Sequence, residues 1–310
     1  MTLTQLSVFV LVARLGSVKA AARTLDVSEP AVSQALSALR QHLGDQLVSR
    51  GPAGMTLTPG GTRLLSIASQ MVALGAEAEA TVRAAQGAPA PLRVVAGSTV
   101  AEFVSGPLID AFATRSARKV EGSSGVATTE EMAVLLSSRL SDLALGPCFR
   151  TDSGLVSEPI LRTKLIVVGA AGRPRRSDVA WLVDPAGTDA ESDTGRLLRR
   201  LRVPDSRIRV FPNQTAAWTA AADGGGVAPA FAHLVAPQLR RGDLVVVATP
   251  ATPVESAWYA TTLTPDRRSA TAGAFRRFLG TPEAMHLMQS AGTGSPPSRF
   301  RPPVYVTIWS

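Results

Sequence analysis

The sequence predicts an α/β protein in three parts: a winged helix-turn-helix head, one long helix, and a C-terminal α/β domain. Three observations carry this prediction. Short apolar runs with helical spacing, separated by only a few residues, occupy the N-terminal part of the chain. The stretch 62–86 has no proline and repeats apolar residues at heptad spacing. From residue 92 onward, apolar strand-like runs alternate with helical stretches, which is typical of an α/β domain.

The composition is that of a globular chain that remains in a reducing compartment. Of 310 residues, 45% are hydrophobic and 18% are charged, which excludes a wholly disordered protein. The apolar stretch 6–13 is too short for a membrane span and has no basic region before it, so we expect neither a signal peptide nor a membrane anchor. The single cysteine, Cys148, can form no internal disulfide. We therefore expect a cytoplasmic protein that does not bind membranes.

The net charge of +8 does not lie in the N-terminal part of the chain. Residues 1–88 contain seven basic and five acidic side chains, so they are almost balanced. The densest basic cluster comes later and consists of Arg196, Arg199, Arg200, Arg202, Arg207 and Arg209. A solvated arginine-rich face explains this cluster, and an anionic ligand or a second DNA contact would explain it as well.

Two short helices and the turn between them predict the helix-turn-helix. Asp26, Val27 and Ser28 form the turn, Ser28 is placed to cap the second helix, and Glu29 and Pro30 suit its first turn. Each helix keeps one apolar face toward the interior. The inward-facing residues are Val18, Ala21, Ala22 and Leu25 on the first helix, and Val32, Leu36, Leu39 and Leu43 on the second.

The opposite face of the second helix carries small polar side chains, which suit a DNA groove. This face consists of Pro30, Ser33, Gln34, Ser37 and Gln41. Gly44 is well placed to end the helix. Residues 47–50 and 55–58 then predict a two-stranded wing around the glycine- and proline-containing segment 51–54.

The long helix that follows has a heptad seam, at about 1.5 Å per residue over roughly 37 Å. The seam consists of Leu64, Ile67, Met71, Leu74, Ala78, Thr81 and Ala85. A seam of this length needs a partner, which is either the rest of the chain or a second copy.

The C-terminal domain begins after a short linker at 88–91. Its strand candidates are 92–96, 143–146, 164–169, 180–183, 208–211 and 244–248. Ser98 and Thr99 follow the first of these strands and precede a helical run at 104–112, so they form either a plain helix cap or an anion-binding helix start. Residues 291–310 are rich in Gly, Ser and Pro and predict a mostly disordered tail.

The sequence contains no set of residues that indicates catalysis, a metal or a cofactor. Three scattered histidines and one cysteine have no metal-ligand spacing. Gly224, Gly225 and Gly226 are followed by neither a P-loop lysine nor a dinucleotide fingerprint. We therefore expect no enzyme activity, although a small-molecule-binding protein or enzyme whose N-terminal helices serve assembly remains the alternative function.

The first sixty or so residues resemble the LysR-type transcriptional regulators in order and spacing. The matching residues are Leu6, Phe9, Ala13, Gly16, Ser17, Ala21, Ala22, Leu25, Ser28, Pro30, Ala31, Val32, Ser33, Leu39, Leu43, Gly44, Leu47, Arg50, Leu57, Thr58 and Gly61. Glu29 stands where the family often has glutamine, and Arg40 stands where it usually has glutamate. The resemblance implies a sequence-specific regulator that binds double-stranded DNA as a dimer or tetramer.

The resemblance also implies the domain boundaries: a DNA-binding domain at 1–61, a dimerisation helix at 62–88 and an effector-binding domain at 89–290. The effector domain would have two subdomains like those of periplasmic solute-binding proteins, the first at about 92–163 and 258–290 and the second at about 164–257. Dimers would recognise an inverted-repeat operator. A small metabolite, which we predict to be anionic, would bind between the subdomains.

Individual site residues follow from the motif positions and from the chemistry of DNA. The predicted DNA-binding residues are Lys19, Ser28, Glu29, Pro30, Ser33, Gln34 and Arg50. Gln34 is the main candidate for base contact, whereas Lys19 and Arg50 are candidates for phosphate contact. Glu29 either interacts with the helix dipole or accepts a hydrogen bond from cytosine. The resemblance further implies that residues at the strand ends facing the cleft bind the effector, and these are Ser98, Thr99, Thr188 and Gln214.

Overall fold

The computed structural model describes residues 1–51, 54–117, 119–148, 154–172 and 179–290. Its N-terminal head contains helices α1 (Leu3–Leu15), α2 (Val18–Leu25) and α3 (Glu29–Leu43), followed by strands β1 (Val48–Gly51) and β2 (Gly54–Leu57). The two strands pair as an antiparallel hairpin. The predicted winged helix-turn-helix is therefore confirmed.

Local capping explains why the head folds at these boundaries. The Ser17 hydroxyl accepts a hydrogen bond from the amide of Ala20 at the start of α2, and Ser28 caps α3 in the same way. Asp26 and Gly44 end α2 and α3 in the left-handed conformation. The inward faces form the core as predicted, except that Leu43 at the end of α3 is 40% exposed.

Helix α4 (Pro59–Ala85) packs on the head with only one of its faces. Ala68 and Val72 are buried against the head, and α4 lies along α1. The helix also exposes Ile67, Leu74 and Val82, and Leu74 is 64% exposed. Ile67 and Leu74 belong to the predicted heptad seam and Val82 adjoins it, so an apolar stripe is left on the surface of the protomer.

In the described part of the effector domain, nine strands form one mixed sheet. Its strands are β3 (Ala90–Ala96), β4 (Val120–Val126), β5 (Leu143–Gly146), β6 (Leu155–Gly169), β7 (Trp181–Val183), β8 (Ile208–Val210), β9 (Val227–Phe231), β10 (Val245–Val246) and β11 (Val254–Leu263). The spatial order is β4-β3-β5-β11-β6-β9-β7-β8, and β10 pairs with β6. The long antiparallel pair of β6 and β11 joins the two ends of the sheet, because the chain crosses on one strand and returns on the other.

Helices cover this sheet and divide the domain into two subdomains. Helix α5 (Ser98–Val100) continues through a π-helical turn (Ala101–Ser105) into α6 (Gly106–Arg115). The others are α7 (Thr129–Ser137), α8 (Asp193–Arg200), α9 (Gln214–Ala222), α10 (Ala236–Arg241), α11 (Ala270–Leu279) and α12 (Pro282–Gln289), with short 3-10 turns at Pro185–Thr188 and Asp205–Arg207. The first subdomain contains β3–β5, α5–α7, α11 and α12, and the second contains β7–β10 and α8–α10.

The six predicted strands are present, although β10 is shorter than expected and β6 begins nine residues earlier than the predicted 164. Strands β4, β9 and β11 were not predicted. The predicted disordered tail at 291–310 lies outside the described residues. Within the described part of the chain, no helix combines the length and the apolar character needed to cross a membrane.

Candidate DNA-binding face and effector cleft

The predicted base-reading face of α3 is open to solvent. Ser28, Glu29, Pro30, Ser33 and Gln34 are all exposed, and Lys19 on α2 is exposed as well. Because the buried residues of α3 lie on its other side, this polar face is free to approach a DNA groove. The structure thus brings six of the seven predicted DNA-binding residues to the surface of the head. The seventh, Arg50, lies in the wing, where its backbone pairs with Met55.

Arg40 fixes the wing to the recognition helix. Its Nε atom donates to the carbonyl oxygen of Gln46 at 2.7 Å, and its Nη2 atom donates to that of Val48 at 2.9 Å. Both carbonyls belong to the segment that leads into and begins β1. Arg40 therefore has a structural role in the head.

Asp45 holds the other end of the wing. Its carboxylate accepts hydrogen bonds from the Leu47 amide at 2.6 Å and from the Thr58 hydroxyl at 2.8 Å. The Leu47 amide, followed by the Thr58 hydroxyl, lowers the pKa of Asp45, because both stabilise the ionised carboxylate. The two bonds connect the start of the wing to the chain that leaves it for α4.

Ser98 links the two subdomains through a buried carboxylate. Its hydroxyl, at the start of α5, donates to Oδ2 of Asp184, which follows β7 in the second subdomain. Asp184 is fully buried, and its Oδ1 atom has no hydrogen-bond partner among the described residues. Burial raises the pKa of Asp184, the Ser98 hydrogen bond opposes this effect, and the negative charge of Glu102 raises the pKa further.

A second carboxylate occupies the N-terminus of α9. Glu102, in the π-helical turn of the first subdomain, accepts hydrogen bonds from the amides of Gln214 at 2.8 Å and Thr215 at 3.0 Å. It also accepts a hydrogen bond from the Thr215 hydroxyl. Free amides at a helix start favour an anion, and here the protein itself provides it. The adjacent rings of Phe103 and Trp218 stack at 5.2 Å and extend the contact between the subdomains.

A third carboxylate makes the same kind of link in the reverse direction. Asp189 of the second subdomain accepts hydrogen bonds from the Thr129 amide and the Thr129 hydroxyl, each at 2.9 Å. Thr129 is the first residue of α7 in the first subdomain. The first subdomain therefore places one carboxylate, Glu102, at a helix start of the second, and the second places two, Asp184 and Asp189, at helix starts of the first.

A cavity of about 410 Å³ remains at the mouth of this cleft. Ser98 and Thr188 line it, and Thr188 also donates its hydroxyl to the Pro185 carbonyl oxygen at 2.7 Å. Thr99 is buried and lines a much smaller space of about 40 Å³ beside it.

Gln214 differs from the prediction and is absent from the lining of both spaces. Its side-chain amide donates to the Pro229 carbonyl oxygen at 3.0 Å, and its backbone amide binds Glu102. The residue therefore serves the packing of α9. The sequence pattern points to hydroxyls at strand ends and does not reveal the carboxylates Glu102 and Asp189. For Asp184, the one sequence signal is its position directly after a buried strand.

Two arginines of the basic cluster at 196–209 form ion pairs with nearby carboxylates, which favours the interpretation as a solvated face. Arg196 pairs with Asp193 at 2.7 Å, and Arg199 pairs with Glu191 at 3.4 Å. All four belong to α8 or the segment before it. Among the described residues, no group of three or more His, Cys, Asp or Glu side chains is arranged to hold a metal ion.

Comparisons with known proteins match the chain to two domain families. The family described as "Bacterial regulatory helix-turn-helix protein, lysR family" matches residues 3–62, and that described as "LysR substrate binding domain" matches residues 85–281. The chain is 33% identical to the uncharacterized HTH-type transcriptional regulator Rv0377 of Mycobacterium tuberculosis, with all of both chains covered. It is 26% identical to the HTH-type transcriptional regulator CfxR of Cupriavidus necator, over 90% of this chain and 91% of CfxR.

A solved structure shows the same fold. Full-length LysG from Corynebacterium glutamicum superimposes with a TM-score of 0.52 and 19% identity, over 92% of this chain and 98% of LysG. The two curated relatives carry the names of transcriptional regulators, not of enzymes.

Proposed function

Because this chain belongs to the LysR family of DNA-binding transcriptional regulators, we propose that it binds an inverted-repeat operator as a homo-oligomer. We propose further that a small anionic metabolite in the cleft of its effector domain controls this binding. A protein with this role acts on the chromosome, so we propose a cytoplasmic location.

The exposed polar face of α3 is the observation that carries the DNA-binding proposal. Ser33 and Gln34 lie near the N-terminal end of this helix, which is the end that enters the major groove in helix-turn-helix proteins. Glutamine can form a bidentate contact with adenine, so Gln34 is the proposed base reader. Lys19 and the wing residue Arg50 are proposed to contact phosphates, which add affinity without sequence preference.

The exposed stripe on α4 supports oligomerisation. Ile67, Leu74 and Val82, all on α4, are each more than half exposed. A second copy of α4 would bury this stripe. Two heads related by a two-fold axis would then read two half-sites of opposite orientation, which is the basis for an inverted-repeat operator.

The start of α5 supports an anionic effector. Glu102 and Asp189 accept backbone amides at the starts of α9 and α7, whereas at the start of α5 Asp184 accepts the Ser98 hydroxyl, and this start borders the cavity of about 410 Å³. Helix N-termini favour negative charge, and this one continues into a π-helical turn and α6. Ser98, Thr99 and Thr188 are the proposed effector-binding residues, because they border this cavity or the smaller space beside it.

A nuclease footprint of the full-length chain on the DNA upstream of its own gene tests the proposal. We expect two protected half-sites related by two-fold symmetry, and binding that weakens steeply as salt increases. Protection no stronger than on a random duplex of equal length would contradict operator binding. One protected half-site would contradict the inverted repeat while leaving DNA binding in place.

A further inference from the structure

The DNA-binding head packs against the effector domain of the same chain. One apolar cluster contains buried side chains of the head together with Met132, Leu135 and Leu136 of α7. Helix α1 lies directly against α7. The head therefore has a defined contact surface on the first subdomain, in addition to its covalent connection through α4.

An ion pair also connects α2 of the head to α7 of the first subdomain. The Nη2 atom of Arg23 lies 2.5 Å from Oε1 of Glu131, whose side chain is only 8% exposed. The second oxygen of Glu131 accepts the Thr128 amide at 2.8 Å and so caps α7. Glu131 therefore connects the head to the start of α7, where Asp189 of the second subdomain also accepts a hydrogen bond.

The same residues border the effector cavity. Its wall is made by the first subdomain at Ser98 and Thr129, by the second subdomain at Asp189, and by the head at Arg23, Thr24 and Asp26. The Thr24 hydroxyl is buried and has no hydrogen-bond partner among the described residues. A small molecule in this cavity would touch both subdomains and α2 of the head.

We propose that the DNA-binding head forms one wall of the effector cavity and that Arg23 and Thr24 contact the effector directly. The proposal rests on the effector site proposed above and adds to it the residues that transmit binding to the head. Arg23 is the basic side chain among the lining residues of this cavity in the described part of the chain. Its guanidinium has several N–H donors, one of which is used by Glu131.

An anionic effector at this wall loosens the head. The anion shares the guanidinium with Glu131 and adds negative charge beside the carboxylates of Glu131, Asp189 and Asp26. Because like charges repel, the Arg23–Glu131 pair weakens and the docked head becomes less favourable. The ligand then shifts the population toward a state in which the head has left α7.

Charged labels of matched size test this mechanism without knowledge of the effector. Cys148 is the one cysteine of the sequence, so the pair Cys148→Ser and Thr24→Cys leaves a single thiol in the cavity wall. We would attach 2-sulfonatoethyl or 2-(trimethylammonium)ethyl groups with methanethiosulfonate reagents and measure hydrogen exchange of α7 in the full-length chain. The sulfonate is expected to speed exchange of these amides by about tenfold, and the ammonium to leave it near the unlabelled rate. Equal effects of the two labels, or no effect of either, would overturn the proposal.

A label at a distant site is the control for the charged labels. The same labels on Ser37→Cys, on the exposed face of α3, should leave the hydrogen exchange of α7 unchanged.

A second test removes the charge that holds Arg23, and it has its own control. Glu131→Gln keeps an acceptor for the cap of α7 but removes the charge that holds Arg23, so it should also speed α7 exchange. Glu283→Gln removes the same charge from the 2.5 Å pair with Arg115 between α6 and α12, and it should have no effect. If α7 exchanges at the same rate in Glu131→Gln as in the parent chain, the proposed role of the Arg23–Glu131 pair is contradicted as well.

The footprint on upstream DNA separates the two proposals. If the proposed function fails, the parent chain gives no footprint, whatever the labels do to α7. If the head is not a wall of the cavity, the footprint persists and the two labels do not differ in their effect on α7 exchange.

Discussion

Removal of the Glu102 carboxylate should weaken the effector domain more than any surface substitution. Glu102 is 5% exposed and accepts hydrogen bonds from the amides of Gln214 and Thr215 and from the Thr215 hydroxyl. These bonds join the first subdomain to the first turn of α9 in the second. The charge also complements the positive end of that helix.

The expected magnitude follows from the groups left without a partner. In Glu102→Ala, two amides at the start of α9 lose their acceptor, at about 1–3 kcal/mol for each buried unsatisfied donor. Loss of the charge at the helix N-terminus adds about 0.3–1 kcal/mol. Water that enters the vacated space can accept some of these hydrogen bonds. We therefore expect the free energy of unfolding to fall by about 3–4 kcal/mol in total. Glu102→Gln retains one acceptor oxygen and should cost about 1–2 kcal/mol.

Urea unfolding of the full-length chain, followed by circular dichroism, measures these changes in the free energy of unfolding. Glu121→Ala is the matched control, because Glu121 pairs with Arg83 at 2.8 Å on the surface and should change stability by less than about 1 kcal/mol. The reasoning is refuted if Glu102→Ala loses no more stability than Glu121→Ala. An equal loss in Glu102→Ala and Glu102→Gln would refute the part of the argument that assigns the loss to unsatisfied amides.

Three other predictions concern the oligomer, pH and DNA affinity. Leu74→Glu puts a charge in the exposed stripe of α4 and should dissociate the oligomer in light scattering, whereas an unchanged mass would remove α4 from the interface. Burial lowers the pKa of His233 from 6.5 to about 4, so the folded state binds this proton less readily than the unfolded chain. The free energy of unfolding should therefore fall as the pH drops from 6.5 to 4, by up to about 3 kcal/mol more in the parent chain than in His233→Gln. Parallel pH profiles of the two proteins in urea unfolding would contradict the lowered pKa of His233. Lys19→Ala should reduce the slope of log affinity against log salt by about one per protomer, and an unchanged slope would exclude a phosphate contact at this residue.

The head could be predicted from sequence because its determinants are local. Ser28 caps α3 through an amide three residues away, and Gly44 ends the helix with its own backbone conformation. The apolar period of α3 shows which face is buried, and Val32, Leu36 and Leu39 are buried as predicted. Leu43 departs from the pattern because it lies in the last turn, where the neighbouring elements no longer cover it.

Parts of the effector sheet escaped prediction because their strands are defined by their neighbours. Strand β4 contains two glycines and two serines within Val120–Val126, a composition that favours loops. It is a strand because all seven of its residues pair with β3. Strands β6 and β11 owe their length to each other, since all ten residues of β11 pair with β6.

The cleft shows the same division between local and distant information. Ser98 could be identified from sequence as a helix start, and in the structure it lines the cavity. Its partner Asp184 is 86 residues away, Glu102 reaches α9 across 112 residues, and Asp189 reaches α7 across 60 residues. No pattern within one segment reports such pairs, so the carboxylate links became visible only in the folded chain.

The affinity of Gln34→Ala for the footprinted operator and for a random duplex tests base reading by α3 most directly. Both affinities would be measured at one salt concentration, with Gln41→Ala near the far end of the same exposed face as the control. We expect Gln34→Ala to lose about 1–3 kcal/mol of binding free energy on the operator and almost none on random DNA. Gln41→Ala should bind both duplexes as the parent does. Equal losses of Gln34→Ala on the two duplexes, or no loss on the operator, would contradict base reading by α3.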